Sequence, residues 1–121
     1  MGIIIECGEQ EVWAPGPRVG HLFIDQIAAL ERLVEQHSGI EPGPPDMWTI
    51  DAPTFQAFID AVLAYPDRTN NGPLFALVAG PLKIALALNG RITGRWPDVP
   101  DPLRAAIVDG AKTVLYRVRL M

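Results

Sequence analysis

The stretch from Leu74 to Leu88 constrains the fold more than any other part of the chain. It is apolar on nearly every side of a helix, with Lys83 as its single charge. A bilayer span takes roughly 20 consecutive apolar residues, and this run is shorter and is interrupted by Gly80-Pro81 and Lys83. It therefore reads as a core helix, which must be surrounded by neighbours or meet a second subunit. Pro removes a backbone donor and clashes with the preceding turn, so Gly80-Pro81 is expected to kink or divide that helix.

The rest of the chain must supply the cover. Its 121 residues include 12 Pro and 11 Gly, and 49% are hydrophobic. That length suits one compact domain over residues 1–121, with a core that needs no disulfide or metal staple. The net charge of −4 with only 20% charged residues is not the profile of a disordered chain.

Ile3-Ile4-Ile5-Glu6-Cys7, a turn at Gly8-Glu9-Gln10 and Glu11-Val12-Trp13 read as a β-hairpin. After Ala14-Pro15-Gly16-Pro17, a helix is expected from Arg18 to about His37. Val19, Phe23, Ile27, Leu30 and Val34 share its buried side at about 100° per residue, with Ser38-Gly39 as its stop. Residues 40–45 read as a Pro-rich connector and Met47-Trp48-Thr49-Ile50 as a third strand. Asp51 stands at an N-cap before an amphipathic helix from about Pro53 to Tyr65, which buries Phe55, Phe58, Ile59 and Val62. Pro66 to Gly72 has the composition of a turn, Asn89-Gly90 of a helix cap, and Arg91 to Pro100 of a long loop. A helix opens at Pro102. Lys112 to Leu120 fits either a helix or an alternating strand, with helix the preferred reading. The expected class is α+β: a small antiparallel sheet of about three strands, the N-terminal hairpin plus a strand near 47–50, packed by three to four helices.

This order of pieces, with Val12-Trp13-Ala14-Pro15, Ile50-Asp51-Ala52-Pro53, Phe55-Gln56-Ala57-Phe58 and the apolar helix, resembles a family of small uncharacterised bacterial proteins of high-GC filamentous species. The resemblance covers roughly residues 3–90. Its motifs are strand ends, a cap and core aromatics, so it implies a fold and carries no catalytic residue across.

Charge and motif content exclude several classes. A pI near 5.0 disfavours a duplex nucleic-acid partner, which needs a surplus of Lys and Arg. The charge is uneven: Arg104, Lys112, Arg117 and Arg119 oppose only Asp109 after residue 101, which leaves the preceding body strongly acidic. Cys7 is the only cysteine, so no intrachain disulfide or Cys-based zinc site can form, and a reducing cytoplasm fits. Met1-Gly2-Ile3-Ile4-Ile5-Glu6 has no basic flank, so neither export nor membrane attachment is expected. P-loop, HExxH, CxxC and nucleophile-elbow patterns are absent. Neither a cofactor nor a metal is expected.

Three groups of residues remain as candidates. Arg91, Arg95 and Trp96 combine forked donors with a flat ring, a pairing suited to ligand binding, although Trp96-Pro97 folded back as an apolar plug beneath the guanidinium groups is the simpler reading. His21 and Asp25 stand four apart on the first helix, where a carboxylate can orient an imidazole for acid-base work; an exposed ion pair is the simpler reading. His37, at the far end of that helix, reads as a capping or core-edge residue. Glu6, Glu9 and Glu11 form an acidic hairpin tip able to meet a basic partner surface. The expected function is a non-enzymatic protein-protein interaction module, an immunity-type or regulatory partner that binds another protein or itself as a homodimer. The alternative is a small-molecule binder or small enzyme with a pocket near residues 91–96.

Overall fold

The structure, a computed structural model, describes residues 2–44, 46–65, 72–99 and 101–120, with side chains in the last helix as far as Leu115. Strands β1 (Ile4–Cys7) and β2 (Gln10–Trp13) are followed by helix α1 (Pro17–Val34), strands β3 (Ile40–Gly43) and β4 (Met47–Ile50), and helices α2 (Ala52–Ala64), α3 (Gly72–Thr93) and α4 (Pro102–Leu120), an α+β arrangement. The sheet order is β2-β1-β4-β3.

The hairpin forms as its sequence suggests, turning at Gly8 with φ +61°. Ile5 pairs with Trp13 and Glu6 with Glu11, so Val12 is the extra residue of a bulge. The bulge lets the consecutive residues Val12 and Trp13 both bury. Trp13 then meets Phe23 of α1 edge-on, with ring centroids 5.5 Å apart.

The sheet departs from the expected antiparallel three strands in two ways. The Pro-rich connector contains β3, antiparallel to β4, and β1 pairs with β4 in parallel. Pro42 hid β3 from a pattern reading, yet β3 is an edge strand, where a missing ladder donor is tolerated.

Asp51 caps α2, accepting hydrogen bonds from the amide and hydroxyl of Thr54. Those two bonds, the hydroxyl's first, hold its carboxyl below the ordinary aspartate value against a smaller opposing effect of desolvation. The helix buries Phe55, Phe58, Ile59, Val62 and Leu63. Helix α1 opens at Pro17 and buries Phe23, Ile27 and Leu30, but Val19 is 51% exposed rather than in the core. The helix also stops earlier than Ser38-Gly39: Glu35 takes the left-handed conformation and its amide bonds Glu31 O. Gly39 (φ +83°) serves the turn into β3, where a Cβ would lie 2.9 Å from Asp51 O.

Helix α3 runs unbroken through the buried Pro81 and past Asn89-Gly90 to Thr93, ending on Gly94 in the left-handed conformation. By length and composition alone it is long and apolar enough to cross a membrane. Here its second half, Ala85 to Gly90, is buried among α2, α4 and β2. The surplus of apolar surface that suggested a second subunit is thus largely absorbed within the chain, although Leu77 is 76% exposed.

Helices α3 and α4 run in the same direction: Lys83 lies against Gly110, and Arg91 reaches Leu115 O further along. Same-direction helices need a return crossing, which explains the long segment after α3. Trp96 in that segment lies on Gly90, where a Cβ would be 2.6 Å from the indole. Pro97 to Val99 then run beside Asp60, Leu63 and Ala64. At the start of α4, Arg104 Nε donates to Leu63 O (2.7 Å) and its Nη1 pairs with Asp101 (2.6 Å). Residues 112–120 are helical. The expected turn at 66–71 and the side chains of Tyr116, Val118 and Leu120 lie outside the described residues.

Candidate interaction surface

Strand alternation gives the sheet two chemically distinct faces. Ile3, Ile5, Val12, Trp13, Ile40 and Ile50 are buried against the helices. The opposite face carries a row assembled by register: Glu11 pairs with Glu6, Glu6 with Thr49, and Thr49 with Glu41. One side chain from each of the four strands therefore stands in a line that crosses the sheet, spanning about 14 Å at a strand spacing of about 4.8 Å. Three of the four are carboxylates. Glu11, Thr49 and Glu41 are exposed and Glu6 is half-buried. Glu9 stands exposed in the turn beyond the row. Among the described residues none forms an ion pair with Glu6, Glu9 or Glu11. Like charges directly opposite on neighbouring strands repel, so the Glu6–Glu11 pairing opposes folding and contributes negative potential outward.

At its far end the row meets the C-terminus of α1. Glu41 Oε1 is 3.3 Å from His37 Nε2, and His37 Nδ1 is 3.0 Å from Glu31 Oε2. Glu31 also accepts from the Ser38 amide at 2.8 Å. Its partial burial favours the neutral acid, but the hydrogen bonds from Ser38 and the contact with His37 together outweigh that and hold its carboxyl below the ordinary value. His37 thus bridges the helix end to the edge strand β3, and a polar hollow of about 450 Å³ lies between this bridge and Thr49, Asp51 and Thr54.

The neighbouring row is apolar. Ile4 pairs with Met47 and Met47 with Gly43. A groove of about 440 Å³ opens beside it, lined by Gly2, Ile3, Ile4, Ala14, Pro15, Asp46 and Met47. Acidic row and apolar groove together form an amphipathic strip on a sheet face that no helix covers.

The other candidate residues lie elsewhere. Arg91 sits in the last turn of α3 rather than in a loop, and its guanidinium donates to Val12 O (2.5 Å) and Leu115 O (3.5 Å). It pins the bulged edge strand and α4 to α3. Trp96 packs against the core, with Lys112 Nζ 5.7 Å from its ring centre, so a lysine rather than an arginine covers the indole. Arg95 is exposed beside a hollow lined by Ala52, Pro53, Gln56 and Thr93. His21 and Asp25 are exposed on α1, with no hydrogen bond between them. Cys7 is partly buried against the core. Among the described residues no group of three or more His, Cys, Asp or Glu is placed to hold a metal.

A sequence reading finds Glu6, Glu9 and Glu11 but misses Glu41, Thr49, Ile4 and Met47. Their shared face depends on the parallel β1–β4 pairing and on β3, neither of which local pattern reveals.

A family model matches residues 1–117, and it describes a family of unknown function, DUF6086. The chain belongs to this family. The DUF6086 match runs past Gly90 through the return segment and most of α4, further than the first ninety residues on which a resemblance could be read. No curated protein and no solved structure matches the chain.

Proposed function

We propose that this DUF6086 member is a single-domain, non-enzymatic protein-interaction module whose open sheet face docks a cationic segment of another protein. The observation that carries the reading is the row Glu11–Glu6–Thr49–Glu41, uncovered and adjacent to an apolar groove. The carboxylates of Glu6 and Glu11, which no described residue pairs, steer a basic partner and set its register together with Glu41, and the groove at Ile4 and Met47 supplies apolar burial that charge alone does not. Addition of a partner strand at the sheet edges has less support: β3 carries Pro42, and the side chain of Gln10 on β2 reaches Arg91 O. The lone Cys7 fits a reducing cytoplasm.

The small-molecule alternative draws less support, because Arg91 is engaged with backbone carbonyls and Trp96 lies on Gly90. Only Arg95 stands beside an open hollow.

The test is zero-length carbodiimide cross-linking, which joins carboxylates to lysines, in extract of the cells that make the protein. The chain itself has only Lys83 and Lys112, so links within it are few. The reading expects one partner joined through Glu6, Glu11 or Glu41 and lost in the Glu6→Lys, Glu11→Lys, Glu41→Lys triple variant. Equal capture by wild type and the folded triple variant overturns it.

A further inference from the structure

Helix α1 carries a second stripe that the fold leaves uncovered. Val19, Leu22, Gln26 and Ala29 follow the alternating three- and four-residue spacing of paired helices, and all four are exposed. Val19 is 51% and Leu22 59% exposed, two of the four large apolar side chains the described residues leave open to solvent. One flank of this stripe is occupied by Arg18, Asp25 and Arg32, seven residues apart, all exposed and none in an ion pair with another described residue. The other flank turns to the core through Phe23 and Leu30.

We infer that α1 pairs antiparallel with α1 of a second copy of this chain, with Leu22 at the centre of the contact. A two-fold axis perpendicular to the helix sets the charged flank of one copy against the same flank of the other, running in the opposite sense. With the axis between positions 21 and 22, Arg18 of each copy stands opposite Asp25 of the other, and the two Leu22 side chains meet. Moving the axis to position 25 sets Arg18 against Arg32 and Asp25 against Asp25, which is repulsive. Moving it to between Ala28 and Ala29, so that Asp25 meets Arg32, sets Leu22 opposite the charged Glu35. The charges therefore select the register that also buries the apolar pair, and this self-complementarity assigns the stripe to a second copy rather than to an unrelated helix. Because α1 packs on the covered side of the sheet, both acidic faces stay open in the dimer. The inference is independent of what those faces bind.

Sedimentation velocity over a range of concentrations tests this. The account expects wild type to pass from a 13.2 kDa monomer to twice that mass, with a dissociation constant in roughly the micromolar range, as befits a small interface. Arg18→Asp and Asp25→Arg each weaken the dimer roughly tenfold by turning two attractions into repulsions, and the double exchange restores it. Leu22→Glu leaves the circular dichroism unchanged and abolishes the dimer. Wild type that stays monomeric near the solubility limit overturns the inference and leaves the stripe to a different protein. A dimer indifferent to Leu22→Glu overturns it by placing the contact elsewhere, and a double exchange as weak as the single variants overturns the register.

Discussion

The two faces of the sheet use the same strands for opposite ends. On the covered face Ile5, Val12, Ile40 and Ile50 are at most 5% exposed, and each contributes apolar burial to the fold. On the open face the residues between them place three carboxylates in one row, two of them directly opposed across β1 and β2. One face is accounted for by stability and the other works mildly against it. A residue set that the fold does not need, held in register by the fold, is where binding is to be sought.

Substitutions should separate the two faces by size and sign. On the covered side Phe58, fully buried in α2, should cost about 3–5 kcal/mol on change to Ala, read as a lower denaturant midpoint, whereas Glu6→Gln on the open face should not lower the midpoint. A smaller loss is expected for Arg91→Ala, about 1.5–3 kcal/mol, because Val12 O at the bulge and Leu115 O both lose a charged donor. Arg91→Lys should recover only part of it, since an ammonium on a flexible stem does not reproduce the guanidinium fork.

Glu31 sits where the covered side meets the open row, and its effect should depend on pH. Its folded-state value is depressed below 4.5, so its stabilisation is present above that value and disappears as pH falls through the lower folded-state value. The stability gap between wild type and Glu31→Gln should therefore be widest near neutrality and narrow below pH 4.5 in acid titrations of unfolding. A gap that widens in acid would contradict the network around His37 and Ser38. The smallest effect has the opposite sign: Glu11→Gln should stabilise by about 0.2–1 kcal/mol by relieving the repulsion from Glu6. That gain should shrink in high salt.

Much of the covered side was legible in the sequence because core stripes and caps are local. Phe55, Phe58, Ile59 and Val62 share a face at helical spacing, Asp51 reads as a cap, and both are found as expected. The exceptions have physical causes. Gly90 resembles a helix stop but is small so that Trp96 can lie on it, and α3 runs on to Gly94. Val19 has the right spacing for the core but lies at the edge of the buried stripe, turned away from the side on which the adjacent Gly20 packs against Ile3 and Pro15. The open face was only half legible. Its hairpin glutamates are close in sequence, whereas Thr49 joins them through a β1–β4 pairing between strands some forty residues apart, and Glu41 follows through β3, a strand hidden behind Pro42.

On the proposed function the open face, and not the helical side, receives a cationic partner. Amide chemical-shift mapping of isotope-labelled protein titrated with a short peptide of alternating Lys and Leu tests it most directly, with the Glu-for-Lys peptide as control. The account predicts shifts concentrated in residues 4–7, 10–13, 40–43 and 47–50, weakened by salt and absent with the control. Shifts of equal size with both peptides, shifts confined to the helices, or none at millimolar peptide would contradict it.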